Sequence, residues 1–223
     1  MAPAIKLPAR LKLNKKIQMD GLKFMSKIPT SSVPAVFFDP QYRGVYEKLK
    51  YGNEKTSRNY HRVLIPQMSD DMIREFINKI NDILMPSGHL FLWLDKFHLC
   101  TNYGDWFSDC DLNKVDLITW NKKKIGLGYR TRHTSEFMLI LQKNPKRAKG
   151  VWCLRDIPDV WDEKIRLNGK NYHHSKPLGL QQKLIECTTN VGDVVVDPAA
   201  GSFSVLESCK NTDREFLGCD IKV

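Results

Sequence analysis

Short apolar runs that end on an acid or a turn recur along the chain. They are Val33–Phe38 before Asp39, His89–Leu94 before Asp95, Leu117–Trp120, Glu136–Leu141, Val194–Val196 before Asp197, and Glu215–Cys219 before Asp220. Runs this continuous suit strands buried on both faces, as in a parallel sheet covered by helices. Between them the period becomes helical. Ser69–Met85 opens on Ser69-Asp70-Asp71, a cap with an acidic first turn, and places Met72, Ile73, Phe76, Ile77, Ile80 and Leu84 on one face. Pro86-Ser87-Gly88 ends it and turns into the next strand. Leu178–Thr189 predicts a second helix with Leu180, Leu184 and Ile185 inward, and Ser204–Lys210 a third. Strands alternating with helices predict an α/β fold with a largely parallel sheet. Lys143–Tyr172 breaks the alternation: it is polar, carries two Trp and several Pro and Gly, and reads as an inserted loop-rich element.

Composition narrows the class. A chain of 223 residues suits one compact domain, and 42% hydrophobic with 27% charged residues argues against wholesale disorder. No apolar run is long enough to span a membrane, and Met1–Lys16 lacks the continuous apolar core of a signal peptide. Cys100, Cys110, Cys153, Cys187, Cys209 and Cys219 form no CxxC pair, so the expectation is no metal site, a reduced cytoplasmic setting, and thiols that are plain buried residues.

The net charge of +10 is unevenly spread: residues 1–28 carry +6, 43–62 carry +4, 122–133 carry +5 and 143–176 carry +5, which leaves the remaining chain at −10. These segments are loop-like, so the excess points to a polyanion gripped by several loops, against the plainer alternative of a solvated lysine-rich surface.

Two strand ends carry unusual chemistry. In open α/β sheets ligands sit beyond the carboxyl ends of the strands. Phe37-Phe38-Asp39-Pro40-Gln41-Tyr42 delivers a carboxylate, a proline that stiffens the next turn, and an aromatic ring. A carboxylate beside a fixed carbonyl accepts both hydrogens of one amino group, and the ring of Tyr42 can stack on the flat molecule bearing it. A common Asp-Pro turn is the competing explanation. Val194–Val196 leads into Asp197-Pro198-Ala199-Ala200-Gly201-Ser202-Phe203, where small residues admit a ligand close to the backbone at a helix start. About twenty residues on, the next strand ends in Asp220, placed for ribose hydroxyls. A plain strand–turn–helix explains this segment equally well when it is taken alone.

Together with Pro86-Ser87-Gly88-His89-Leu90-Phe91-Leu92 and His174-Ser175-Lys176-Pro177, these segments resemble, in content and order, the amino-group DNA methyltransferases of the permuted beta type. The likeness runs over about residues 16–221. It implies an α/β, Rossmann-like doubly wound fold of the class I methyltransferase type, circularly permuted, forming a single domain over 1–223 with a small target-recognition insertion at 143–172.

The resemblance also assigns roles. Asp39 and the Pro40 carbonyl would accept the hydrogens of an adenine N6 amino group while Tyr42 stacks on a base flipped out of the duplex. An aspartate at this position favours adenine over cytosine N4. S-adenosylmethionine would lie against Asp197, Ala199, Gly201 and Ser202, with Asp220 at its ribose, Asp20 near its adenine, and His174, Ser175, Lys176 and Pro177 as a further cofactor segment. Arg43–Arg62 would be a loop over the flipped base, and Lys122, Lys123, Lys124, Arg130 and Arg132 would meet DNA phosphates. In the insertion, Arg155, Arg166, Asn168 and Asn171 are candidates for base edges, and Trp152 and Trp161 for a small core or for stacking platforms.

Gln41 replaces the family's usual second proline, and Ala199-Ala200-Gly201-Ser202-Phe203 lacks the aromatic and the second glycine of its usual turn. Two other readings stay open: an N4-cytosine or RNA amino-methyltransferase that shares the chemistry, and, from these departures, a nucleic-acid-binding subunit that has lost catalysis. A recognition element this short also leaves room for a second copy or a partner subunit.

Overall fold

The computed structural model describes residues 11–41, 67–100, 103–126, 130–166 and 176–222. Eight strands form one sheet: β1 (Lys16–Gln18), β2 (Val33–Phe38), β3 (Leu84–Leu94), β4 (Leu112–Asn121), β5 (Ser135–Lys143), β6 (Val160–Asp162), β7 (Val194–Asp197) and β8 (Glu215–Asp220). Their order is β1-β8-β7-β2-β3-β5-β4-β6. The first five run parallel, β5 is antiparallel to both of its neighbours, and β6 is parallel to β4.

The helices are α1 (Gly21–Met25), α2 (Asp70–Ile83), α3 (Lys96–Cys100), α4 (Leu178–Thr188) and α5 (Ser204–Asn211), with a 3-10 turn over Tyr103–Phe107. They cover both faces. On one side Phe24, Ile73, Phe76, Ile77 and Ile80 pack on Val36, Phe38 and Leu92; on the other Leu180, Leu184, Val205 and Cys209 pack on Ala35, Phe37, Phe91 and Trp93. The alternation along β2 therefore feeds two separate cores. Phe38 stacks on Phe76 at 5.2 Å, and Phe37 lies 4.7 Å from Phe91.

The doubly wound α/β expectation holds, with local corrections. Glu136–Leu141 belongs to an antiparallel strand, because a continuous apolar run reports burial on two faces and not direction. The helix over Ser69–Met85 stops at Ile83. Leu84 already pairs with Val33, and Pro86-Ser87-Gly88 lies inside β3, with Ser87 left-handed at φ 65°, and not in a turn before it. Ser69 caps α2 as expected, accepting from the Met72 N–H, but Met72 itself is 42% exposed. The short elements β1, α1, α3 and β6 lack the length for a sequence period to reveal them.

Among the described residues of 143–172, Val160–Asp162 extends the sheet beyond β4, with Trp161 opposite Trp120. Trp152 and Trp161 are partly buried against the Phe91–Trp93 core, which fits the small-core alternative over exposed platforms. The cysteines divide: Cys187, Cys209 and Cys219 are buried, whereas Cys100 and Cys153 are exposed, against the expectation of uniform burial. Cys100 ends a five-residue helix, and Cys153 lies in loop backbone outside the cores.

Candidate active site at the carboxyl edge of the sheet

The chain direction reverses its winding between β7 and β2, which are neighbours in the sheet but far apart in sequence. A crevice opens at such a switch point, beyond the carboxyl ends of the strands. Acids from separate segments gather on this edge, among them Asp20 after β1, Asp220 at the end of β8, Asp197 at the end of β7 and Asp39 just after β2.

The β7–α5 turn is tightly organised. Asp197 Oδ1 accepts from the Ala199 N–H at 3.2 Å, and Ala200 donates to the Cys219 carbonyl at 2.9 Å. Gly201, left-handed at φ 49°, donates its N–H to Asp220 Oδ2 at 2.9 Å, so Asp220 braces the turn as well as facing the edge. Ser202 is half-buried in this turn.

Phe203 resolves the departure from the family turn. It takes the left-handed conformation itself, at φ 59°, where a glycine would be the easy choice, and its ring is buried 6.1 Å from Phe216 with the Lys16 ammonium 5.0 Å from its centroid. Packing thus holds the turn that a glycine would otherwise permit. Asp20 caps α1 by accepting from the Lys23 N–H at 3.0 Å. The helix can approach because Gly21 lacks a Cβ, which would lie 2.5 Å from the Pro198 carbonyl oxygen.

Asp197 is a buried acid. Burial, helped by the charges of Asp39 and Asp220 and opposed by the Ala199 N–H, pushes its pKa up to about 8. An acid held this way at the mouth of a crevice suits a cationic ligand, which would draw off its proton.

Asp39 meets a cation. Lys176 Nζ lies 3.0 Å from Asp39 Oδ2 and 2.8 Å from Glu136 Oε2, and stands 4.7 Å from the Trp93 ring centroid. Glu136 Oε1 in turn pairs with Lys122 Nζ at 3.1 Å. Burial would raise the Glu136 pKa, but Lys176 and Lys122 outweigh it and hold the carboxyl at about 2. Glu136 is not legible in sequence as a site residue, because it begins a strand. Only the antiparallel course of β5 carries that beginning to the carboxyl edge.

Pro40 is buried behind Asp39, and the Gln41 carbonyl accepts from the Met68 N–H at 2.7 Å, so the turn is tied down without a second proline. Pro177 is buried at the start of α4.

Of the predicted site residues, Tyr42, Arg43, His174 and Ser175 lie outside the described residues, as do Asn168, Asn171 and the whole Arg43–Arg62 segment. The structure brings Asp20, Asp39, Pro40, Lys176, Asp197, Ala199, Gly201, Ser202 and Asp220 to one edge. Lys122 is half-buried on Glu136, Lys123 pairs with Asp162 at 2.6 Å and Arg166 with Glu207 at 3.2 Å. Lys124, Arg130, Arg132 and Arg155 are exposed. Among the described residues no cluster of three His, Cys, Asp or Glu is placed to hold a metal ion, and no helix is long and apolar enough to cross a membrane.

Comparison with known proteins agrees with this geometry. The chain is 50% identical over 210 residues to the Type II methyltransferase M.HhaII of Haemophilus parahaemolyticus, covering 94% of this chain and 91% of that protein. Its fold is similar to that in the M1.HpyAVI–SAM complex, with a TM-score of 0.62 at 19% identity over 92% of both chains. It is also similar to the cytosine-N4-specific PvuII DNA methyltransferase, with a TM-score of 0.70 at 15% identity over 97% of this chain and 85% of that one. A DNA methylase family model of the N6/N4 type matches residues 33–223, from the first residue of the Asp39-bearing strand through Asp220, and the chain belongs to that family.

Proposed function

We propose that the protein methylates the N6 amino group of adenine in DNA, using S-adenosylmethionine. The observation that carries this reading is the Asp39-Pro40 turn at the end of β2, directly beside Asp197 at the switch point. Asp197, Ala199, Gly201, Ser202, Asp220 and Asp20 would hold the cofactor, whose positive charge matches this acidic edge. S-adenosylmethionine supplies an electrophilic methyl group on a sulfonium.

The adenine amine is a poor nucleophile because its lone pair is delocalised into the ring. Asp39 and the Pro40 carbonyl would accept its two hydrogens and draw the nitrogen toward a tetrahedral form, freeing its lone pair to act as the nucleophile. Methyl transfer to that nitrogen would leave the C–S electron pair on sulfur, and the proton released by the amine would pass to solvent. No covalent enzyme intermediate is required. The base leaves the duplex to reach the crevice, and Tyr42 stacks on it. Lys124, Arg130, Arg132 and Arg155 supply phosphate or base contacts, and 143–172 contributes to recognition of the target.

Transfer of a radiolabelled methyl group to DNA, followed by nucleoside analysis, tests this. Label in N6-methyladenine with the wild type and none with Asp39→Ala is the expected result. Label in cytosine assigns the N4 chemistry instead, and DNA binding without any label overturns the enzymatic reading.

A further inference from the structure

Four charged side chains from four separate segments converge beside the crevice: Asp39 after β2, Lys176 before α4, Glu136 in β5 and Lys122 after β4. Their formal charges cancel. The Lys176 and Lys122 side chains are only 15% and 16% exposed, which is unusual for lysines and costs hydration unless each cation is well partnered.

One carboxylate would neutralise Lys176; two carboxylates from different strands also fix where its ammonium sits. Glu136 is itself held from its far oxygen by Lys122. The chain of contacts runs from the scaffold inward and ends on the side chain expected to receive the amine. Proline and strand restrain the backbone of Asp39, but only a contact to its oxygens restrains the rotation of its carboxylate, and Lys176 makes that contact at Oδ2.

We infer that Glu136 and Lys176 are positioning residues for the methyl-accepting side of the site: Glu136 anchors Lys176, and Lys176 orients the Asp39 carboxylate and balances its charge. This rests on the methyltransferase function proposed above. It moves Lys176 away from the cofactor, where the resemblance had put it, to the side of the base. Burial would lower the Lys176 pKa, but Asp39 and Glu136 outweigh it and raise it above the ordinary lysine value, so the side chain is a fixed cation. It does not take the proton released by the methylated amine.

The test compares Lys176→Met, Glu136→Gln and the double variant with the wild type, measuring kcat, KM for DNA, and Kd for S-adenosylmethionine by calorimetry. A misplaced carboxylate should lower kcat by about 10- to 100-fold, with the cofactor Kd and DNA KM within about threefold of wild type. Because Glu136 acts through Lys176, the double variant should be no slower than Lys176→Met alone. Glu136→Gln keeps the side-chain shape and both Lys176 and Asp39 but removes the charge that anchors Lys176, so it reports on positioning even if Lys176→Met folds poorly. An unchanged kcat in both single variants, additive losses, or a cofactor Kd that weakens in step with kcat/KM overturns the inference while leaving the methyltransferase reading intact. A wild type that transfers no methyl group, or an Asp39→Ala variant that still does, overturns both.

Discussion

Replacing Glu163 with alanine is expected to uncap the helix that follows Lys176. The N-cap of α4 is Pro177, which offers no side-chain acceptor, so the first-turn N–H groups need a partner from elsewhere. Glu163, just past β6, supplies both oxygens: Oε1 accepts from Gly179 N–H at 3.1 Å and Oε2 from Leu180 N–H at 3.2 Å. Oε2 also accepts from the Trp161 indole at 2.7 Å. Loss of the cap costs about 1 kcal/mol, loss of a negative charge at a helix N-terminus about 0.5 kcal/mol, and the unpartnered indole N–H about 1 kcal/mol more. The total, about 2.5 kcal/mol, corresponds to a drop in Tm of about 5–10 °C for a chain of this size. Glu163→Gln keeps an acceptor and should lose less than half as much.

The contact between Glu163 and Gly179 gives a second handle. A Cβ at Gly179 would stand 2.8 Å from Glu163 Oε2, so Gly179→Ala should destabilise the wild type. In the Glu163→Ala background the same change should be neutral or stabilising by up to about 1 kcal/mol, through helix propensity. Thermal unfolding followed by near-ultraviolet circular dichroism reads all five proteins. A Tm for Glu163→Ala within about 1 °C of wild type would refute the capping argument, since even one missing cap exceeds that.

Two further expectations concern charge. Asp197 is raised from 3.8 to about 8, so the folded protein binds a proton there that the unfolded chain has released; without cofactor, stability should fall as pH rises from about 4 to about 8. Asp197→Asn keeps an acceptor for the Ala199 N–H and should flatten that fall; parallel pH–stability curves for the two proteins would contradict the assignment. Replacing exposed Lys124, Arg130 and Arg132 with alanine should weaken DNA binding alike across sequences and reduce the salt slope by about 0.9 for every phosphate these side chains neutralise, which titrations at several salt concentrations would check. An unchanged slope would mark these residues as solvated surface.

Much of this site is written locally. The alternation of apolar runs with amphipathic stretches determines a doubly wound sheet, and the acid at the end of each parallel run determines that Asp39, Asp197 and Asp220 gather on one edge. Direction is a different matter. Strand β5 has the same continuous apolar pattern as the parallel strands, and nothing in its period states that it runs the other way. That reversal brings Glu136 to the carboxyl edge, where it holds Lys176 against Asp39. Likewise the missing glycine at Phe203 reads in sequence as a weakened turn, whereas packing against Phe216 holds the left-handed backbone that the turn needs. Hydrophobic periodicity records how deeply each residue is buried and the strand ends record where ligands gather. Which charges face each other across that edge depends on strand pairing between distant segments, and only the tertiary structure decides it.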